Sequence, residues 1–358
     1  MPLSQQLLIF ISAFAPGDNG AIHAYHFETE TGQWTLAERT ADVEYPFFMA
    51  LSLDKQFLYS IHAAGGFGEE KHEQIAAYKI ANDEGRLTLL NRQSALGSAA
   101  CYLDVDATGK VMVVANYVTG NVAALPINPD GSLGKATSSH QHAGSSVNTS
   151  RQEGPHAHCI VVSPNNRFVY TADLGLDKIL AYQLDVSSAQ LRISQQPFVR
   201  TVPGAGPRHL TFHPNGQHVY IINELTNSVT MYDHDLKSGM LVEQQTISTL
   251  PDGFGDTSYC ADLKITPNGH FLYGTNRGHD SLAAFRIAEN GRLTLLEIVP
   301  SLGKGPQNLA ITPDGTRLVC ANMPGNNVVA FQIDQDTGGL TPVGEALSIP
   351  NPSCIMIR

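Results

Sequence analysis

One phrase keeps returning along this chain. SPNNRFVY from Ser163, HPNGQHVY from His213, TPNGHFLY from Thr266 and TPDGTRLV from Thr312 align by eye, and weaker copies begin at Ser52 and Asp106. The six starting points are 54, 57, 50, 53 and 46 residues apart. Such spacing marks a supersecondary unit that buries its apolar face only by stacking on its neighbours. Every unit has the same order: an apolar run such as HCIVVS, a Pro/Asn/Asp-Gly turn, a second run such as RFVYTA, a polar turn, a third run and a weaker fourth. Short β-branched and aromatic runs bounded by Asn-Gly or Asp-Gly are antiparallel hairpin signals. No segment sustains a 3.6-residue apolar period over a helix length. With 42% hydrophobic and 15% charged residues, 32 Gly and 20 Pro, the chain can fill a large core while turning often, which excludes a coiled coil or a disordered chain. Four short strands per unit predict the blade of a propeller.

The two chain ends complete the pattern. NPSCIMIR at the C-terminus matches the first strand of a unit, like GPRHLTFH, while LLIFISAFAPGDNGAIHAYHFE near the N-terminus matches a second and third strand. Joined, they make a seventh unit. The sequence therefore predicts an all-β fold, a seven-bladed β-propeller of four-stranded antiparallel blades, with residues 1–358 as one domain and the ring closed by the N- and C-terminal strands in a single blade. The LLIFISAFA run imitates a signal peptide, but it lacks a basic flank and is short, and the repeat uses it as a strand. No window approaches the roughly 20 apolar residues of a membrane helix, so no membrane partner is expected. With 33 acidic against 22 basic residues the net charge is −11. That disfavours nucleic acid and anionic lipid, and any anionic ligand has to find a local basic pocket. Five cysteines, none at CxxC spacing, suggest neither a disulfide framework nor a zinc knuckle, and a cytoplasmic location is expected. The polar stretch from Thr137 to Glu153 reads as a loop that folds over the mouth of the ring.

In a propeller the first strand of each blade is innermost and the second returns beside it, so the start of one and the end of the other share a face. Strand-one starts supply His158, Arg208 and His209, with Asp262, Gln307, Ser353, Cys101, Phe47 and Phe48 at matching places. Strand-two ends supply His62, Asn116, Asp173, Glu224, Asn276 with Arg277, and Asn322. Turn and apolar positions such as Pro164, Pro214, Pro267 and Tyr170, Tyr220, Tyr273 repeat, whereas these axial positions differ, as a site built from unlike parts requires. Arg208 and Arg277 are the candidate anion holders, because guanidinium forks match carboxylate or phosphate oxygens. Glu224 follows an apolar Tyr-Ile-Ile-Asn run that would raise its pKa toward that of a general base. A salt bridge to Arg208 is the other reading. Asp173 either binds ligand or caps the turn after it. His156 and His158, spaced i, i+2, fall on one strand face, a spacing open to metal ligation. No third ligand is identifiable, so no metal is expected. The buried-looking Cys101, Cys159 and Cys354 read as packing. No GxSxG, Walker or GxGxxG motif is present.

The segments RQEGPHAHCIVVSPNNRFVYTADLGLDKI, GPRHLTFHPNGQHVYIINEL, GFGDTSYCADLKITPNGHFLYGTNRGHDSL and GPQNLAITPDGTRLVCANMPGNNVVAF resemble the lactonase family of seven-bladed propellers, over Leu7 to Ile357. That family includes bacterial propeller-type 6-phosphogluconolactonase and fungal carboxymuconate cyclase. The resemblance implies hydrolysis of a sugar-acid lactone, by default 6-phosphogluconolactone, in the pentose phosphate pathway without a cofactor. It places the family's motif positions on Arg151, His156, His158, Asp173, Arg208, His209, Glu224, Asn276 and Arg277. In that reading Glu224, or His158 in its place, is the base that activates water. Arg208 with His209 polarises the carbonyl, and Arg277 with Arg151 holds a distal anionic group. His156, Asp173, Asn276 and Asn322 complete the substrate contacts. The partner is a small anionic sugar lactone, and the chain is expected as a monomer or weak homodimer. Two other readings stay open: a carboxymuconate-type cycloisomerase, for which Arg151, Arg208, Arg277 and Lys304 provide cations, and a non-catalytic propeller that binds a protein. The latter lacks any Trp-Asp signature, and Trp34 is the single tryptophan.

Overall fold

The recurring phrase forms the turn between the first and second strands of a blade. Between β12 (Ala157–Val162) and β13 (Phe168–Asp173), the Ser163 hydroxyl donates to Asn165 Oδ1 at 2.7 Å and accepts from the Phe168 N–H at 3.0 Å. Thr266 does the same with Asn268 and Phe271, and Thr312 with Asp314 and Arg317. The fourth turn residue lies in the left-handed region: Asn166 at φ 58°, Gly269 at 78°, Gly315 at 73°. A short hydroxyl, an Asx side chain and a residue tolerant of positive φ are jointly required, which is why these letters repeat.

This structure, a computed structural model, describes residues 6–41, 43–63, 65–69 and 73–358. The described residues form 28 strands, β1 to β28 in chain order, in seven sheets of four. The one helical element among them is a 3-10 turn at Gly17–Asn19. The sheet of β1 (Gln6–Ala13), β2 (Ala21–Glu28) and β3 (Trp34–Thr40) takes β28 (Pro352–Ile357) as its innermost strand. Ile11 stands opposite Ile355 and Ser12 opposite Cys354 in an antiparallel ladder. The ring thus closes as the terminal sequences predict. The other innermost strands are β4 (Pro46–Leu51), β8 (Ala100–Val105), β12, β16 (Pro207–Phe212), β20 (Tyr259–Ile265) and β24 (Pro306–Ile311), and each touches the next around the circle.

Blades pack on one another through large side chains at equivalent places. Tyr170, Tyr220 and Tyr273 are fully buried, and each hydroxyl donates to a glycine carbonyl of the following blade, Gly239, Gly291 and Gly338, at 2.6–2.9 Å. A buried phenol brings large apolar area, and its hydroxyl needs a partner.

Two features depart from the sequence reading. Ser138–Gln141 is not loop but β11, the outermost strand on β10 (Asn121–Pro126). An outermost strand faces water and needs no apolar alternation, so Ser-Ser-His-Gln suffices and its polar character guards the edge. Secondly, every innermost strand is bulged at its start. The ladder to the second strand skips Cys101, His158, Arg208 and Gln307 singly, Ser353 in the terminal blade, and the pairs Phe47–Phe48 and Ala261–Asp262. A bulge kinks the strand and re-aims the extra side chain, and here the ring of bulges surrounds one end of the axis.

Candidate functional site

Two kinds of strand position, one or both filled from each blade, build a cavity of about 340 Å³ at that end of the axis. The bulge position gives Phe47, His158, Arg208 and Gln307, and the residue ending or just following the second strand gives Phe14, Tyr117, Glu224, Arg277 and Met323. Arg151 reaches in from the segment after β11, together with Phe67. The segment before β12 therefore does cross the mouth, as its sequence suggests. Tyr117, Phe14, Phe67 and Met323 are walls that sequence reasoning missed. Tyr117 and Met323 each follow an asparagine, as Glu224 follows Asn223 and Arg277 follows Asn276, and that shared neighbour is the signal that could have found them.

The same alignment corrects the expected substrate contacts. Asn276 and Asn322 stand one residue before the cavity position, and because strand side chains alternate, one residue changes the face. Asn276 Nδ2 donates to the Thr249 carbonyl at 2.9 Å while its Oδ1 accepts from the Thr249 hydroxyl at 2.6 Å. Asn322 Nδ2 donates to Ser301 O at 3.2 Å, and Asn116 to Ala95 O at 3.0 Å. All three are 0% exposed and tie the hub to the chain arriving from the preceding blade. Asp173 occupies the same place and caps its turn: it accepts from the N–H groups of His156 and Leu176 and lies 2.6 Å from His142 Nδ1, whose other nitrogen meets the Tyr182 hydroxyl at 2.9 Å. Asn276, Asn322 and Asp173 all lie outside the lining of the cavity. His156 also lies outside the cavity lining, stacked at 4.5 Å on Tyr117 with its Nε2 3.1 Å from Glu153. The bulge at His158 breaks the alternation that would have put both histidines on one face. No cluster of metal-ligating side chains is present among the described residues.

The residues that do converge make a cationic knot. Glu224, 4% exposed, bonds Arg208 Nε at 2.9 Å, Arg277 Nη2 at 2.9 Å and Arg151 Nη2 at 2.5 Å. Burial alone would raise its pKa, but the charges of Arg277, Arg208 and Arg151 outweigh burial and hold it at about 2. The expectation of a raised, base-like Glu224 is thus reversed. A carboxylate that accepts hydrogen bonds from Arg208 and Arg151 and pairs with the charge of Arg277 is a clamp for those groups. Burial and the nearby Arg277 push Arg208 down to about 10, so it stays charged at neutral pH. Three guanidiniums against one carboxylate leave two positive charges at the hub of a chain with net charge −11. Arg151 also stands 5.4 Å from the Tyr259 ring centroid, a cation–π contact.

His158 differs from its neighbours. Burial and then the charges of Arg208 and His209 push its pKa well below the usual histidine value, so the imidazole is neutral. Its Nδ1 is buried without a partner, and its ring meets Tyr117 and His209 at 5.2 and 5.4 Å. His209 does not line the cavity: its Nε2 is 3.1 Å from Arg208 Nη1 and its Nδ1 is 2.9 Å from Asp262, so it meets the cavity only through Arg208. Its expected part in polarising a carbonyl directly is corrected accordingly. A site with a fixed cationic wall, a neutral imidazole and aromatic sides of Phe14, Phe47 and Tyr117 suits a compact anion that acquires negative charge as it reacts.

Comparison with known proteins agrees with that geometry. Over 347 residues the chain is 33% identical to a 6-phosphogluconolactonase of Bacillus subtilis, covering 97% of each. It is 31% identical over 357 residues to a 6-phosphogluconolactonase of Formosa agariphila, covering 98% of this chain and 99% of the other. The periplasmic gluconolactonase of Pseudomonas aeruginosa has the same architecture at a TM-score of 0.91, with 26% identity and 99% of both chains covered. Residues 8–357 match the family described as Lactonase, 7-bladed beta-propeller, and the chain belongs to it.

Proposed function

We propose that this protein hydrolyses the lactone of a sugar acid, with 6-phosphogluconolactone as its substrate. The observation that carries the reading is the trio Arg151, Arg208 and Arg277 on one carboxylate, an excess of two positive charges in a cavity sized for a hexose derivative. Opening a lactone places negative charge on the carbonyl oxygen, and donors held in place beforehand stabilise it at no reorganisation cost. Arg208, the most buried of the three, is held by Glu224, His209 and the Ala261 carbonyl, and it faces the carbonyl oxygen. Arg277 and Arg151, about one-quarter and one-third exposed, hold the distal phosphate.

Neutral His158 takes a proton from water as the water oxygen adds to the carbonyl carbon. The tetrahedral intermediate then expels the ring oxygen, breaking the C–O bond, and the imidazolium returns its proton to that oxygen, leaving the open hydroxy acid. The acid ionises to a carboxylate that the arginines retain until release. Glu224 keeps its proton off throughout and serves as the counter-ion that holds the arginines together. All five cysteines are free and buried, in keeping with a cytoplasmic site of action. No helix among the described residues is long and apolar enough to cross a membrane.

The test is base uptake at constant pH with 6-phosphogluconolactone and with unphosphorylated gluconolactone, for the natural chain and Arg151→Ala. A preference for the phosphorylated substrate that shrinks at least about tenfold in the variant supports the assignment. No turnover of either lactone by the natural chain removes the reading, and an unchanged preference moves the phosphate away from Arg151.

A further inference from the structure

Arg208 carries donors only, so every group that orients it has to accept. One of its three protein partners is a histidine nitrogen, and a neutral imidazole accepts at that nitrogen in only one of its two tautomers. His209 Nε2 lies 3.1 Å from Arg208 Nη1, and His209 Nδ1 lies 2.9 Å from Asp262 Oδ1. Asp262 is 0% exposed. Burial would raise its pKa, but the charge of Lys264 and the bond from His209 hold it below the ordinary carboxylate range. It is ionised and can only accept. Its two oxygens also receive Lys264 Nζ at 2.9 and 2.7 Å, Asn308 Nδ2 at 2.8 Å and the Leu309 N–H at 2.9 Å, which pin the carboxylate between β20 and β24. The bulge at Ala261–Asp262 sets both ends of this arrangement, because the Ala261 carbonyl takes Arg208 Nη1 at 2.6 Å while the next residue takes His209.

We infer that Asp262 is a positioning residue: by holding the proton of His209 on Nδ1, it keeps Nε2 as an acceptor and so aims the Arg208 guanidinium into the cavity. The catalytic consequence rests on the lactonase reading above, but the tautomer itself does not. The groups facing His209 are Arg208 from its own strand, Asp262 and Lys264 from β20, His158 from β12, and the rings of Tyr102 at 5.0 Å and Phe48 at 6.3 Å. Burial and Arg208 push the His209 pKa to about 4, so at neutral pH the ring is uncharged and the tautomer is a real choice. An Nε2–H would set donor against donor at 3.1 Å, and the guanidinium would have to turn away.

The experiment uses the full chain labelled with 15N-histidine, with His209 assigned by a His209→Gln variant, in a long-range proton–nitrogen spectrum at neutral pH without any ligand. The expected result is a protonated Nδ1 and an unprotonated Nε2. A proton on Nε2, or on both nitrogens, overturns the inference. In Asp262→Asn the new amide can donate to Nδ1, so the proton is expected to move to Nε2. In that variant kcat for lactone hydrolysis should fall about 10²-fold while KM changes less than about threefold, as misplacement of a catalytic group does. A folded Asp262→Asn that keeps the natural tautomer contradicts the inference. Should that variant not fold, Lys264→Met leaves the carboxylate in place and removes a charge that lowers the His209 pKa. The His209 titration followed by NMR, and the acid limb of kcat, are then expected to move together to higher pH. An unmoved His209 titration counts against the arrangement. If no lactone is turned over at all, the function fails while the resting-state spectrum still decides the tautomer.

Discussion

Asn276 and Arg277 are adjacent in sequence, and they belong to different regions of the molecule. The asparagine belongs to a layer in which Asn116, Asn276 and Asn322 each close onto the backbone of the chain arriving from the preceding blade, while Asn223 at the same place bonds Ser228 and Thr230 of its own blade. The arginine belongs to the layer one residue further on, where the blades present Phe14, Tyr117, Glu224, Arg277 and Met323 to a common cavity. The first layer closes on protein groups and stays out of the cavity. The second differs because a site is assembled from unlike parts. Stability and function are thus separated by a single step along a strand, and substitutions in the two layers should produce opposite signatures.

The largest effect is expected at the bulge layer. Arg208→Ala should lower kcat/KM about 10²–10³-fold, the usual loss on removing one oxyanion donor, in a steady-state assay. The fold should survive, because Glu224 keeps Arg151 and Arg277. His158→Gln should cost about 10²-fold or more in kcat, the range of a lost general base, with ligand affinity retained in a product-binding titration. An active His158→Gln enzyme with a dead Glu224→Gln would return the proton transfer to the glutamate. Next comes acid stability. Glu224 has a folded pKa near 2 against an ordinary 4.5, so its contribution is complete above about 4.5 and is lost as pH falls toward 2. Denaturant unfolding between pH 5 and pH 2.5 should show a decline on the order of 3 kcal/mol attributable to this group, and Glu224→Gln should flatten that part of the curve. Smallest is the structural tyrosine layer. Tyr220→Phe removes a hydroxyl from the Gly291 carbonyl and should cost about 1 kcal/mol in unfolding free energy with unchanged turnover.

The fold was largely legible because its turns use few letters. Ser163, Thr266 and Thr312 each need a hydroxyl at the first turn position, and NPSCIMIR repeats a strand-one pattern at the far end of the chain. Of the charged members of the site, Arg208, Glu224 and Arg277 were also legible as exceptions within a repeat, and Arg151 through the family resemblance. What the letters hid was the bulge. An extra residue at His158 or Arg208 leaves no mark in an apolar run, yet it re-aims that side chain and shifts which first-strand residue stands opposite each second-strand residue. The cavity position lies one residue past the polar end of the second strand, so Asn276, Asn322 and Asp173 bond to protein while Tyr117 and Met323 line the cavity. The raised pKa expected for Glu224 failed for a different cause: its sequence neighbours are apolar, but its spatial neighbours are Arg208 of its own blade, Arg277 of the next blade and Arg151 of a crossing loop. The role of His209 depended likewise on Asp262, 53 residues away in sequence.

The adjacent pair decides the matter most directly. Arg277→Ala and Asn276→Ala should be assayed side by side for hydrolysis of 6-phosphogluconolactone, with unfolding measured on the same samples. Loss of about 10²-fold in kcat/KM with little change in stability is expected for the arginine. For the asparagine, a loss of about 1–3 kcal/mol in stability with turnover of the folded protein within about threefold is expected. Equal catalytic losses from both, or a silent Arg277→Ala, would contradict the separation of the two layers and the site built upon it.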